Sequence, residues 1–176
     1  RFAKLAEQLS EKMNINDVGD NHLIRFFFHQ YLMPYSEVAK SCLKGWEEGL
    51  DWADFEFASY QATGSLFTRF FAGDTLDDIL KDSLKFAKAF IDIKQQSVLC
   101  LLTPFTQLLY NLTGDVDYPC VLEGEYFQPE EDLKQFKEEK YYPALFLYYT
   151  FKVQSCALFE ESEEAISSFE EVKDYI

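Results

Sequence analysis

Glycine and proline are scarce in this chain, at 7 and 5 of 176 residues, and histidine is scarcer at two. Few obligatory breaks and no long β-branched alternation leave little room for a strand-dominated fold. Long apolar runs are also missing: stretches such as Val98 to Leu102 fall far short of the roughly 20 residues a membrane-spanning helix needs. Basic residues are outnumbered, 16 against 31 acids, for a formal charge of −15. A surface of that sign repels phosphate backbones and anionic headgroups, which argues against nucleic acid and membrane as partners. The four cysteines, Cys42, Cys100, Cys120 and Cys156, lie far apart without a C-x-x-C pair. They are expected to be reduced, buried thiols of a cytoplasmic protein. Nothing near Arg1 resembles a signal peptide, and a start without Met inside a helical pattern is expected of an excised segment of a longer chain.

What the chain does have is apolar and aromatic mass, 48% hydrophobic and 18% aromatic, with 18 Phe and 11 Tyr. That is enough for a packed core over one domain spanning residues 1–176. The most informative feature is a pattern that occurs twice, 41 positions apart. Phe57, Tyr60, Gly64, Phe67 and Phe71 lead into Gly73-Asp74, and Val98, Leu101, Phe105, Leu108 and Leu112 lead into Gly114-Asp115. Alternating steps of three and four mark one helix face, and a glycine just beyond it is the favoured left-handed stop. A repeat of this length predicts stacked helical hairpins.

Along the chain, Phe2, Leu5, Ala6, Leu9 and Met13 predict a first helix, and a second is expected from Asn21 to Met33, ended by Pro34. Ser36 is expected to cap a third, through Gly49. Phe55 to Ala72 reads as the first striped helix, and Asp74 or Thr75 caps a partner with Leu76, Ile79, Leu80, Ser83, Leu84 and Ala87 inward. Gln95 to Thr113 follows, with Pro104 expected to kink it. Gly114 to Pro129 reads as the longest irregular segment, placed to cover a groove. Pro129 opens a helix to Glu139, with Glu130, Glu131 and Asp132 against the positive end of its dipole. Tyr141 to Phe159, apolar on nearly every side, is expected to be the most buried helix. Ser162 is expected to cap a last one carrying Ala165, Phe169, Val172 and Ile176.

The chemistry that catalysis requires does not assemble. His22 and His29 are seven apart, where helical metal pairs come at three or four. The chain has no H-E-x-x-H, G-x-S-x-G or phosphate-loop signature. Asp115-Val116-Asp117 opens like a calcium loop, but Pro119 and Cys120 occupy positions that need an oxygen ligand and a turning glycine. Glu160, Glu161, Glu163 and Glu164 read as solvated partners of a helix start. No catalytic, metal or cofactor-binding residue is assigned, and no cofactor is expected.

Two stretches carry a resemblance. One is Gln107 to Gly114, then Pro119, Leu122, Gly124, Phe127 and Glu130-Glu131, a long aromatic helix and Ala165-Ile166; the other is Gly45-Trp46-Glu47-Glu48-Gly49-Leu50 with Phe57 to Tyr60 and Phe71 to Gly73. Together they resemble the helical repeat region of large multi-sensor signalling kinases. Those chains join a serine/threonine kinase-like domain, an AAA-type ATPase, a tetratricopeptide-like region, a GAF domain and often a histidine kinase. The period of 41 departs from the roughly 34 of an ordinary tetratricopeptide repeat, and Asp78 stands where a small residue is usual. Ala165 with Phe169 keeps the A-x-x-x-F spacing.

The expected fold is therefore all-α: antiparallel helical hairpins stacked as a TPR-like α-solenoid of about eight to nine helices. The repeat positions are Phe57, Tyr60, Phe67, Phe71, Gly73, Val98, Leu101, Leu108, Leu112, Gly114, Ala165 and Phe169. The resemblance implies a non-catalytic, cytoplasmic scaffold in a signal-transduction kinase, partnered by protein: neighbouring domains of the same chain or a regulator. The alternative is a free-standing peptide- or regulator-binding solenoid. Phe2, Leu5 and Leu9 at one end, and Phe169, Val172 and Ile176 at the other, are expected to be uncovered and to drive self-association of the isolated segment.

Overall fold

Between its few breaks the chain is helical, as its periodicity requires. The computed structural model describes residues 5, 8–9, 12, 23–114 and 116–175, and among these every regular element is a helix. The α-helices are α1 (Tyr35–Asp51), α2 (Phe55–Ala72), α3 (Leu76–Asp92), α4 (Gln96–Thr113), α5 (Pro129–Glu138), α6 (Tyr142–Leu158) and α7 (Ser162–Val172). Leu23–Phe28 is π-helical, and His29–Tyr31 and Lys173–Tyr175 are 3-10 turns. The expected all-α class is what is observed. Most of the helix expected over residues 2–13 lies outside the described residues, although Leu5, Gln8, Leu9 and Lys12 are helical and exposed.

A glycine-poor chain needs another way to turn. Five of the helix connections are three residues long, and they share one geometry. After α1, Ala53 takes φ 58°, its N–H donates to the Leu50 carbonyl, and the Asp54 N–H donates to the Gly49 carbonyl. Gly73, Lys94 and Lys140 repeat this pair of bonds at φ 83°, 59° and 55°. At Glu160, φ 62°, the long bond recurs from the Glu161 N–H to the Cys156 carbonyl. This is the Schellman cap, which satisfies the last carbonyls of a helix and turns the chain at once. Four of the five left-handed positions are held by residues other than glycine, so composition did not reveal them.

The contacts gather in two compact units. One comprises residues Arg1–Thr75 and Lys88–Val98, the other Leu76–Ala87 and Leu99–Ile176. In the first, α1 and α2 form an antiparallel hairpin, with Tyr35 against Phe71, Gly45 against Gln61 and Gly49 against Ala58. Small residues let the two backbones close in: a Cβ on Gly49 would sit 2.6 Å from that of Ala58. In the second, Ser83 of α3 meets Thr106 of α4 through their hydroxyls, and Phe105 packs on Phe151 of α6 at 5.3 Å between centroids. The turn after α7 folds back so that Tyr175 stacks on Tyr142 and Tyr149 near the first half of α6.

Several expectations need correction. The helix expected from Asn21 to Met33 is instead a π turn followed by a 3-10 turn. The wider π turn lets Arg25 pair with Glu48 at 2.7 Å while Phe26 lies over Gly64. Neither Ser36 nor Ser162 is a cap, since both lie inside their helices. Pro34 and Glu161 occupy the cap positions, because the proline's fixed φ and the left-handed Glu160 set those starts. Thr75 precedes α3 but makes no side-chain cap bond, whereas Asp54 does cap α2, accepting from the Phe57 N–H. Pro104 does lie inside α4, where the sequence places it. More of α4 than of α6 is buried, because Tyr142, Phe146 and Leu158 of α6 are exposed.

Candidate functional site

The two copies of the repeat have unlike surroundings. Val98, Leu101, Phe105 and Leu108 are buried, and Leu112 is half-buried. In the first copy Phe57, Tyr60 and Phe67 are only half-buried and Phe71 is 56% exposed. The inner face of α2 is made by Ala58, Gln61, Ala62, Ser65 and Leu66, because those side chains admit the backbone of α1 and six-membered rings do not. Gly73 has the expected left-handed conformation, whereas Gly114 does not. The Gly114 N–H simply continues the helical pattern to the Tyr110 carbonyl, and the Thr113 hydroxyl donates to the Leu109 carbonyl, so no left-handed turn is needed there.

At the C-terminal end, Ala165 is half-buried and Phe169 is 49% exposed, with the Lys173 ammonium over its ring. Ser168 and Val172 form the buried side of α7, so Val172 has not lost its neighbours as expected. Leu5 and Leu9 are exposed, and Phe2 and Ile176 lie outside the described residues.

Two surfaces are candidates for function. The first is in the N-terminal unit, where the π and 3-10 turns leave Phe27, Phe28, Tyr31 and Leu32 in solvent and where Tyr35 and Phe71 are also exposed. Tyr31 is 81% exposed. Single exposed apolar side chains are ordinary, but a run of exposed aromatics over 27–35, with Tyr35 in ring contact with Phe71, is the kind of surface that meets other proteins.

The second is the irregular segment after α4, which is organised by two amides of that helix. Asn111 Nδ2 donates to the carbonyls of Pro119 and Val121 at 3.1 and 2.8 Å. Asn111 Oδ1 accepts from Gln107 Nε2 at 2.7 Å, and Gln107 Oε1 accepts from the Tyr126 N–H. Gly124 fits beneath this relay because a Cβ there would lie 2.8 Å from Gln107 Nε2. The far end is held by Phe127, buried between Phe136 and Tyr148. An open cleft of about 360 Å³ results, lined by Asn111, Val116, Asp117, Tyr118, Val121, Glu123, Gly124 and Gln128. Its lining offers two carboxylates and no lysine, arginine, histidine, serine or cysteine.

Sequence reasoning placed this segment as a loop but missed Gln107 and Asn111. The available signal was two amides four residues apart on the buried face of a strongly apolar helix, where a polar group must find a partner. Gln61 differs: it is fully buried, and neither atom of its amide has a hydrogen-bond partner. His29 is buried in its 3-10 turn, and His22 lies outside the described residues. Among the described residues, no group of three or more His, Cys, Asp or Glu is arranged to hold a metal ion. None of the described helices is long and apolar enough to cross a membrane. Comparison with protein-family models, curated proteins and solved structures returns no match to this chain.

Proposed function

We propose that this chain is a non-catalytic helical scaffold that binds protein through the exposed aromatic face of its N-terminal unit. The observation that carries the reading is that exposure itself: Phe27, Phe28, Tyr31 and Leu32 stand in solvent, as does Phe71 of the same unit, on a chain of net charge −15. Exposed aromatics on an acidic chain are unfavourable in water and are the side chains that contribute most to protein interfaces. The setting we propose is the cytoplasmic, TPR-like region of a multi-sensor signal-transduction kinase, with an adjoining domain of the same polypeptide as the partner. The sequence resemblance supports that setting.

The test is a photo-crosslinking aromatic at Tyr31 in the full-length protein. Adducts to another domain of the same polypeptide support the proposal. Adducts to a separate peptide or regulator favour a free-standing binding module, and the absence of adducts above those at exposed Glu131 overturns both. Reading the coding sequence on either side for kinase and ATPase motifs checks the setting independently.

A further inference from the structure

We infer that Cys120 and Cys156 are a redox-responsive pair, which joins as a disulfide and locks the 116–128 segment onto α6. The two residues lie 36 positions apart, and the fold brings their stretches of chain side by side. One position earlier in each stretch, the Ser155 hydroxyl donates to the Pro119 carbonyl at 2.9 Å, so the segment's backbone already rests on α6 at this point. Cys120 and Cys156 lie close enough to influence each other's titration, and both side chains are buried. A cross-link here would join two stretches of chain that are already in contact.

The surroundings also set the rate. Burial pushes the Cys156 thiol up to about 11 and the Cys120 thiol upward as well, so little thiolate exists in the closed state. Reaction follows opening of the segment, which exposes Cys120. Its thiolate attacks a low-molecular-weight disulfide, forming a mixed disulfide and releasing one thiol. On reclosure the Cys156 thiolate displaces the second thiol, leaving the Cys120–Cys156 bond. The two cysteines are oxidised, the small disulfide is reduced to two thiols, and the cysteine protons end on those products. Because Asn111 holds the Pro119 and Val121 carbonyls on either side of Cys120, the cross-link also fixes the wall of the adjoining cleft.

The experiment is incubation of the folded chain with glutathione disulfide, followed by alkylation, peptide mapping without reductant and a thermal melt. The expected result is a linked Cys120–Cys156 peptide, alkylated Cys42 and Cys100, and a rise in Tm of roughly 5–10 °C that a reductant reverses. Cys156→Ser should instead accumulate a glutathione adduct at Cys120 and show no such rise. A persistent adduct at Cys120 in the wild-type protein, or a link to Cys42 or Cys100 in place of Cys156, overturns the inference. Should Cys156→Ser fail to fold, the wild-type peptide map alone decides.

Discussion

The Asp54 N–H reaches back to the Gly49 carbonyl at 2.9 Å, across Ala53 in the left-handed conformation. That bond ends α1 and sets the start of α2. An L side chain there is strained, because its Cβ crowds the following carbonyl, and glycine relieves the contact at some entropic cost. Ala53→Gly and Lys94→Gly should each stabilise the protein by about 0.5–1 kcal/mol in urea unfolding. Loss of stability in both would mean that the chain does not turn at these residues.

Gly49 also faces Ala58, where an added Cβ has no room. Gly49→Ala should cost about 1–3 kcal/mol by overpacking, despite alanine's better helix propensity. A gain in stability would show that α1 and α2 do not pack at this register.

The unequal burial of the two repeat copies can be measured directly. Leu108→Ala should cost about 2–5 kcal/mol, since it empties a site that is 1% exposed. Phe71→Ala should cost about 1 kcal/mol or less, because that ring is largely in solvent. Equal losses in thermal melts would restore the equivalence that the sequence pattern suggests.

Asn111→Ala removes the donor shared by the Pro119 and Val121 carbonyls and strands the Gln107 amide. The expected cost is about 1–3 kcal/mol. Hydrogen exchange should quicken in the amides of 116–128 while those of α1 and α2 keep their protection. Uniform loss of protection would assign Asn111 to the global core instead.

Burial raises the phenols of Tyr148 and Tyr149 from 10.0 to about 12. Between those values the unfolded chain has released protons that the folded chain still holds, so stability is complete below pH 10 and falls as pH rises toward 12. Tyr148→Phe should make that fall shallower. An unchanged slope in unfolding from pH 9 to 12 would count against a buried Tyr148 hydroxyl.

Much of the helix map was legible in the sequence. Phe55 to Ala72 matches α2 at both ends, and the boundaries expected for α4, α5 and α6 fall within a residue of those observed. Those helices announce themselves through period, Pro129 at the first turn and Gly73 just past an end. The failures have a common source. Ala53, Lys94, Lys140 and Glu160 turn the chain without glycine, so no residue type marked them. On α2 the large rings drew attention to the wrong face, because size alone does not show whether a backbone or a side chain fills the space opposite. The roles of Gln107 and Asn111 were not legible, because their partners, the Pro119 and Val121 carbonyls and the Tyr126 N–H, lie eight to nineteen positions further along the chain.

By itself the sequence determined the all-helical class and most helix limits, because both follow from interactions within a few residues: period, caps and breaks. It also determined the acidic charge and the spacing of the cysteines. The tertiary structure alone decided which face of α2 turns inward, which amides hold the irregular segment, and that Ser155 meets Pro119. Each of those depends on groups brought together from distant parts of the chain, and close packing, which local periodicity does not encode, selects among the faces a helix could bury.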